Sequence, residues 1–401
     1  MESASFLPLT QHFAALEDPR VERTKLHRLL DIVAVGLCAV IAGAETWDDI
    51  ALFGQTKADW LGQFLALPNG IPSHDTFNRV FAALDPEQFR AGFQSWMQAV
   101  AEALPAPVSQ VIAVDGKTVR RSHDRHGGKS AIHMVSAWAT QTQLVLAQVK
   151  VDEKSNEITA IPDLLRTLEL RGCLVTLDAM GCQRAIAEQI TTQGADYILA
   201  LKENQPDLLD EVADCFMLAD AEPYAGVGHD QHHRVTKAHG RLELHHHTIL
   251  ADPAHLAWLQ AEQQWPGLCA LGRVQVERRA LEPPEPSDAQ DSSVPLTRPA
   301  REVRYYLLSR VMSAEAFGAA VRSHWGIENQ VHWVLDVTFH EDASRIRAGH
   351  AAENVAVLRH IALNLLRQTP TTASRSPRSL KAKRLKAAWD TDYLLHVLSA
   401  V

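Results

Sequence analysis

Three acids stand where acids are costly. Asp115 ends the apolar run Val111-Ile112-Ala113-Val114, and Asp178 ends Leu174-Val175-Thr176-Leu177. Glu328 lies in the apolar-aromatic stretch His324-Trp325-Gly326-Ile327-Glu328-Asn329. A carboxylate in such a setting is expensive unless something cationic compensates it. Acids drawn from distant segments offer only hard oxygen ligands, the donor set of Mg²⁺ or Mn²⁺. A pair of such ions, held ~3.5–4 Å apart, can activate a hydroxyl and stabilise a leaving oxygen at a phosphodiester. The bland alternative for each acid is a turn cap or an arginine partner. The occurrence of all three in this order favours a shared metal role.

Helical spacing selects the third acid. Phe317, Val321, His324 and Glu328 recur at intervals of three and four. A helix capped by Ser313 therefore directs Glu328 toward the core with that apolar row. Asp336, about two turns further on, is the competitor. Glu341 and Asp342 follow Phe339 and read as a loop or helix start, where acids are ordinary.

The elements that must position these residues follow from periodicity. Residues 1–107 read as a helical N-terminal domain, with apolar positions at helical spacing and cap signals at Ser73 and Asp85. Residues 108–206 alternate: strands at Val111–Val114, Ile132–Ala139 and Leu144–Val151, a helix at 156–168, a strand at Leu174–Leu177, a helix at 183–192 and a strand at 197–201. This β-β-β-α-β-α-β order predicts an α/β fold, an RNase H-like mixed sheet with flanking helices. Residues 207–310 read as a β-rich insertion before the last catalytic helix, with seven histidines between His229 and His247 and a Pro/Ser/Asp-rich loop from Glu282 to Pro299. The histidines have no cysteine or carboxylate partners at zinc-type spacing. Residues 311–367 return to helix and complete the catalytic domain, and 368–401 read as a basic tail, poorly ordered from Gln368 to Arg384 until Ala388–Leu398. Leu104-Pro105-Ala106-Pro107 reads as a linker.

At 401 residues, 46% hydrophobic and 22% charged, the chain is globular. The five cysteines show no paired or metal-type spacing, which fits reduced thiols in a cytoplasmic protein. No secretory leader is visible, and the apolar run from Ile32 to Ala44 is short of the ~20 residues a bilayer needs. The net charge of −9 argues mildly against a nucleic-acid partner, but local clusters decide binding. Basic clusters occur at Arg20, Arg23, Lys25 and Arg28; at Lys117, Arg120, Arg121, Arg125 and Lys129; and at Arg367, Arg375, Arg378, Lys381, Lys383, Arg384 and Lys386.

Several stretches carry a family resemblance. Val114-Asp115-Gly116-Lys117-Thr118-Val119-Arg120, Lys154-Ser155-Asn156-Glu157-Ile158-Thr159-Ala160-Ile161-Pro162, Leu177-Asp178-Ala179-Met180-Gly181-Cys182-Gln183, Ala200-Leu201-Lys202-Glu203-Asn204-Gln205 and the Glu328 stretch resemble DDE transposases of bacterial insertion sequences, in particular the ISAs-type, H-repeat-associated group. Asp49-Ile50-Ala51 and Gly70-Ile71-Pro72-Ser73-His74-Asp75-Thr76-Phe77 resemble that group's accessory domain. The resemblance implies a Mg²⁺- or Mn²⁺-dependent DNA strand-transfer enzyme of the bacterial cytoplasm and nucleoid, with double-stranded DNA as partner, no membrane, and room for a homodimer on DNA. It gives Asp115, Asp178 and Glu328 the DDE roles. Lys117, Arg120, Arg121 and Lys202 become candidates for gripping phosphates. The wider class carries an arginine four residues before its glutamate and a lysine seven after. Here His324 and Leu335 hold those places, and Arg322 or Lys202 is the substitute cation. A domesticated or inactive DNA-binding relative, or a nuclease without strand transfer, is the alternative reading.

Overall fold

Apolar β-branched runs and short polar turns produce nine strands among the described residues. They are β1 (Val111–Thr118), β2 (His133–Ala139), β3 (Leu144–Val151), β4 (Leu174–Leu177), β5 (Asp196–Leu201), β6 (His229–Ala238), β7 (Arg241–Leu250), β8 (Ala270–Ala280) and β9 (Ala300–Leu308). The computed structural model describes residues 7–103, 110–123, 130–152, 155–221, 228–238, 241–280, 300–370 and 379–400. The linker expected at 104–107, the loop at 282–299, and Lys154, Arg125, Lys129, Arg375 and Arg378 lie outside the described residues. Two compact units emerge: Met1–Val108 with Asp115–Leu168 and Gly326–Val401, and Ser109–Val114 with Glu169–Trp325. Strand β1 runs through both.

The first unit is built around the helix Ala351–Gln368, which is buried along nearly its whole length. It packs against the equally buried helix Leu29–Ala42, against His74–Ala83 and Pro86–Ala103, and against β3. The N-terminal helices therefore share their core with residues from the far end of the chain. Their caps follow the sequence signals. Ser73 Oγ accepts from the Thr76 amide and Asp85 from the Glu87 and Gln88 amides, as expected; the structure adds a reciprocal capping box between Thr46 and Asp49. β2 and β3 pair antiparallel across the turn at 140–143. Asn364 on the central helix completes this hairpin's outer edge. Its amide accepts from Val145 N at 3.0 Å and donates to Val145 O at 2.8 Å, in place of a neighbouring strand.

The expected poorly ordered stretch is corrected from Leu380 on, where the helix Leu380–Trp389 begins; the helix Thr391–Leu398 falls within the stretch Ala388–Leu398 that was set apart from it. Two basic residues of Leu380–Trp389 are buried because they cap other segments. Lys383 donates to Leu366 O and Thr369 O, orphan carbonyls at the end of the central helix, and Arg384 donates to Val40 O and lies 4.2 Å above the Phe339 ring. No single helix among the described residues is long and apolar enough to cross a membrane. Only the pair Leu29–Ala42 and Trp47–Thr56, bent by 97°, passes that test together.

In the second unit β1 runs parallel to β4, and β4 parallel to β5. β9, β8, β7 and β6 then follow as an antiparallel meander, beginning with β9 against β5. The histidine-bearing strands thus extend this mixed sheet instead of standing apart from it. Helices Glu157–Arg166 in the first unit and Arg184–Thr192, Pro206–Ala221 and Ala314–Gly326 in the second flank strands of their own unit.

Candidate active site

Asp178 follows directly on Leu177, the last β4 residue paired with β1. Its carboxylate accepts from the amides of Met180 at 3.0 Å and Gly181 at 3.2 Å, which folds the chain into a tight turn. A Cβ on Gly181 would meet the Leu177 side chain at 2.9 Å, so this turn takes glycine. The Lys202-Glu203-Asn204-Gln205 stretch supports it: Asn204 donates to Ala179 O and Gln205 to Cys182 O. Burial, with the Asp178 charge beside it, pushes the Cys182 thiol up to about 12. It is an unreactive packing residue.

Asp115 follows Val114, which pairs with Leu177. The strand does not end there, as the apolar run suggested. It continues to Thr118, and Asp115 is half-buried, its Oδ2 3.5 Å from Nδ1 of His332. His332 is buried. Burial, assisted by the positive charge of Lys117, pulls its imidazole down to about 3, so it is neutral beside Asp115.

Glu328 corrects an expectation. The helix Ala314–Gly326 gives way to a π-helical stretch, Ile327–His332, before α-helix resumes at Trp333–Val337. A π turn closes i→i+5 bonds, so residues beyond Gly326 rotate off the face set by Phe317 and Val321. Ile327, Val331 and His332 turn inward, and Glu328 is exposed. Gly326 permits close approach to the buried Trp138: a Cβ would meet the indole within 2.7 Å. His324 lies under the apolar row, bonded to Thr176 Oγ1 at 3.0 Å; burial pulls it down to about 4 despite that bond. It is a neutral, partly buried residue tied to β4, not a replacement for the arginine.

Residues 106–365 match the family described as the transposase DDE domain, and residues 10–97 match its associated segment. The chain belongs to the DDE transposase family. It is 40% identical over 391 residues to the H repeat-associated putative transposase YhhI of Escherichia coli (strain K12), covering 98% of this chain and 97% of that one. It is 39% identical over 396 residues to the putative transposase YncI of E. coli O157:H7, covering 99% and 95%. A shorter relative, the inactive transposase YbfQ of E. coli (strain K12), is 46% identical over 72 residues, 18% of this chain and 86% of its own.

Among the cations singled out in this transposase-family sequence, Arg120, Arg121, Lys202 and Arg322 are exposed. Arg120 touches Asp342 at 3.3 Å yet keeps 80% of its side chain in solvent. Lys117 differs: only 9% of its side chain is exposed, and its ammonium donates to Asp336 at 2.7 Å and Glu341 at 2.8 Å, with Asp342 at 3.5 Å. Burial works against its charge, but Glu341 and Asp336 outweigh burial and hold it above the usual lysine range. Burial also works against Glu341, and Lys117 with Arg359, 3.4 Å away, brings its carboxyl below the usual range. Asp336 is raised, by burial first; it shares Lys117 with two other acids, and Glu341 has the second cation. Arg367, assigned to a basic cluster, is also structural and donates to Gln143 O and Gln330 O. His332, Arg359 and His360 were not singled out from the sequence, and Glu341 was set aside there as an ordinary loop or helix-start acid. The available signal was the spacing His332-x-x-x-Asp336, one turn beyond Glu328. Among the described residues, no group of three or more His, Cys, Asp or Glu side chains forms a metal cage.

Proposed function

We propose that this chain is an insertion-sequence transposase that cuts double-stranded DNA at element ends and joins the 3′-hydroxyl to target DNA, with an RNase H-like arrangement of its sheet. The supporting observation is register: Val114 pairs with Leu177, and Asp115 and Asp178 are each the next residue. Together with Glu328 they would hold Mg²⁺ or Mn²⁺, which supply activation of the attacking hydroxyl and stabilisation of the leaving oxygen. The donors suit these ions, being carboxylate oxygens with no soft ligand, and Mg²⁺ keeps several waters and takes substrate phosphate instead of needing a full protein cage. The chain's own part is orientation. The amides of Met180 and Gly181 fix the Asp178 carboxylate, and neutral His332 packs beside Asp115 without competing for its charge. Exposed Arg120, Arg121, Lys202 and Arg322 are the phosphate contacts, and Lys117 is withdrawn from that role by its burial. Glu328→Gln tests the reading. Cleavage of element-end DNA falls by at least ~10²-fold while binding of the same DNA persists, because the lost contribution belongs to the transition state. Wild-type cutting by Glu328→Gln with a dead Asp336→Asn moves the third role to Asp336. Cutting by the wild-type chain without joining assigns a nuclease; neither cutting nor joining assigns an inactive relative.

A further inference from the structure

Asp115 and Lys117 alternate along β1 and so leave it on one face. His332 and Asp336 are four apart and leave one face of the helical run that carries Glu328. The two faces meet as rungs: Asp115 against His332 at 3.5 Å, and Lys117 against Asp336 at 2.7 Å. The spacing is commensurate. Two strand residues advance about 6.6 Å, and four helical residues about 6 Å. Below the second rung the same ammonium reaches Glu341, which is 2% exposed and held from behind by Arg359. Asp342 closes the cluster with contacts to Lys117 and Arg120. The ion pairs balance, three cations against three acids.

We propose that Lys117 is a positioning residue: its buried ammonium clamps the strand that carries Asp115 to the helical run that carries Glu328, and so sets the separation of those two acids. The proposal rests on the metal-binding role given above to Asp115 and Glu328. A lysine two residues beyond the first acid has an obvious competing role, gripping DNA. Burial between acids argues against it, because a phosphate would have to displace two carboxylates from the same ammonium.

The experiment uses the full chain and the double variant Lys117→Met/Glu341→Gln, which removes one charge of each sign. Lys117→Met alone takes the ammonium from buried Glu341 and half-buried Asp336 and can fail to fold; the double variant leaves Asp336 without that ammonium and Arg359 facing a neutral partner but keeps the net charge. Mn²⁺ uptake is measured by calorimetry without DNA. Binding of a random-sequence 30-bp duplex is measured without metal across a series of KCl concentrations. A thermal melt confirms that the variant is folded. Positioning predicts Mn²⁺ binding weakened about tenfold and an unchanged salt slope. A phosphate contact predicts the reverse, a slope shallower by about 0.9, and that result overturns the proposal. Removing Lys117 as a mere like charge near the ion would leave Mn²⁺ binding unchanged or tighter, which also overturns it. If Asp115→Asn abolishes Mn²⁺ uptake while the double variant binds as wild type, the clamp fails and the metal reading stands. If wild type takes up no Mn²⁺, both fail together.

Discussion

Gly116, between Asp115 and Lys117, lies against the side chains of Glu157 and His133. A Cβ there would stand 2.5 Å from the Glu157 carboxyl carbon and 2.6 Å from His133 Nε2. Those two side chains are themselves bonded at 2.6 Å, with 18% and 27% exposed respectively, and His133 is also tied to Thr118 Oγ1 at 2.8 Å. The flexible partner is Glu157, so Gly116→Ala should swing its carboxylate outward and break the pair. Loss of a partly buried hydrogen bond to a charged group costs about 1.5–3 kcal/mol. The strand conformation suits alanine, which recovers about 0.4–1 kcal/mol through the unfolded chain. The net loss expected is about 0.5–2.5 kcal/mol from these two contributions. In a Glu157→Ala background the pair is already lost and only the His133 ring still has to give way, so the same substitution should cost clearly less. Urea unfolding of the four proteins measures the difference. Equal effects of Gly116→Ala in both backgrounds would refute this reasoning.

Stability should fall as the solution is acidified. Burial pulls His360, a residue of the central helix, down to about 4, with Glu341 opposing, and pulls His332 down to about 3. Free histidine titrates near ~6.5, so below that pH the unfolded chain holds more protons. The stabilisation is complete above the unfolded value and is lost as pH falls through the folded values. His360→Leu should remove about one proton of that uptake, up to ~1.4 kcal/mol per pH unit; an unchanged slope between pH 6.5 and 4 in urea titrations would contradict this. Glu341 acts in the same direction at lower pH, since its carboxyl is held below the usual range. Asn364→Leu leaves Val145 N and O without their side-chain partner and should cost about 2–6 kcal/mol, at ~1–3 for each orphaned group; a loss below about 1 kcal/mol would show that another group takes over.

Much of this protein was legible one segment at a time. The apolar runs before Asp115 and Asp178 are strands because β-branched residues in unbroken sequence suit a strand covered on both faces. Ser73 and Asp85 start helices because their side chains satisfy amides within three residues. The order of the acids and the motifs around them pointed to the family that the whole-chain comparison shows. Local pattern failed where the structure departs from one period or pairs charges far apart. A regular 3.6-residue period turned Glu328 inward; the π-helical stretch at Ile327–His332 changes the phase and leaves it exposed. Lys383 and Arg384 looked like a solvated tail, yet carbonyls of Leu366, Thr369 and Val40 call them inside. Lys117 looked like a surface cation beside an acid. Its partner Glu341 lies 224 positions away, and only the packing of the helical run onto β1 brings them to 2.8 Å. Propensity, capping and strand alternation act within a few residues and can be read from the chain. The pairing of buried charges depends on which segments share a core, and that the tertiary structure alone decided.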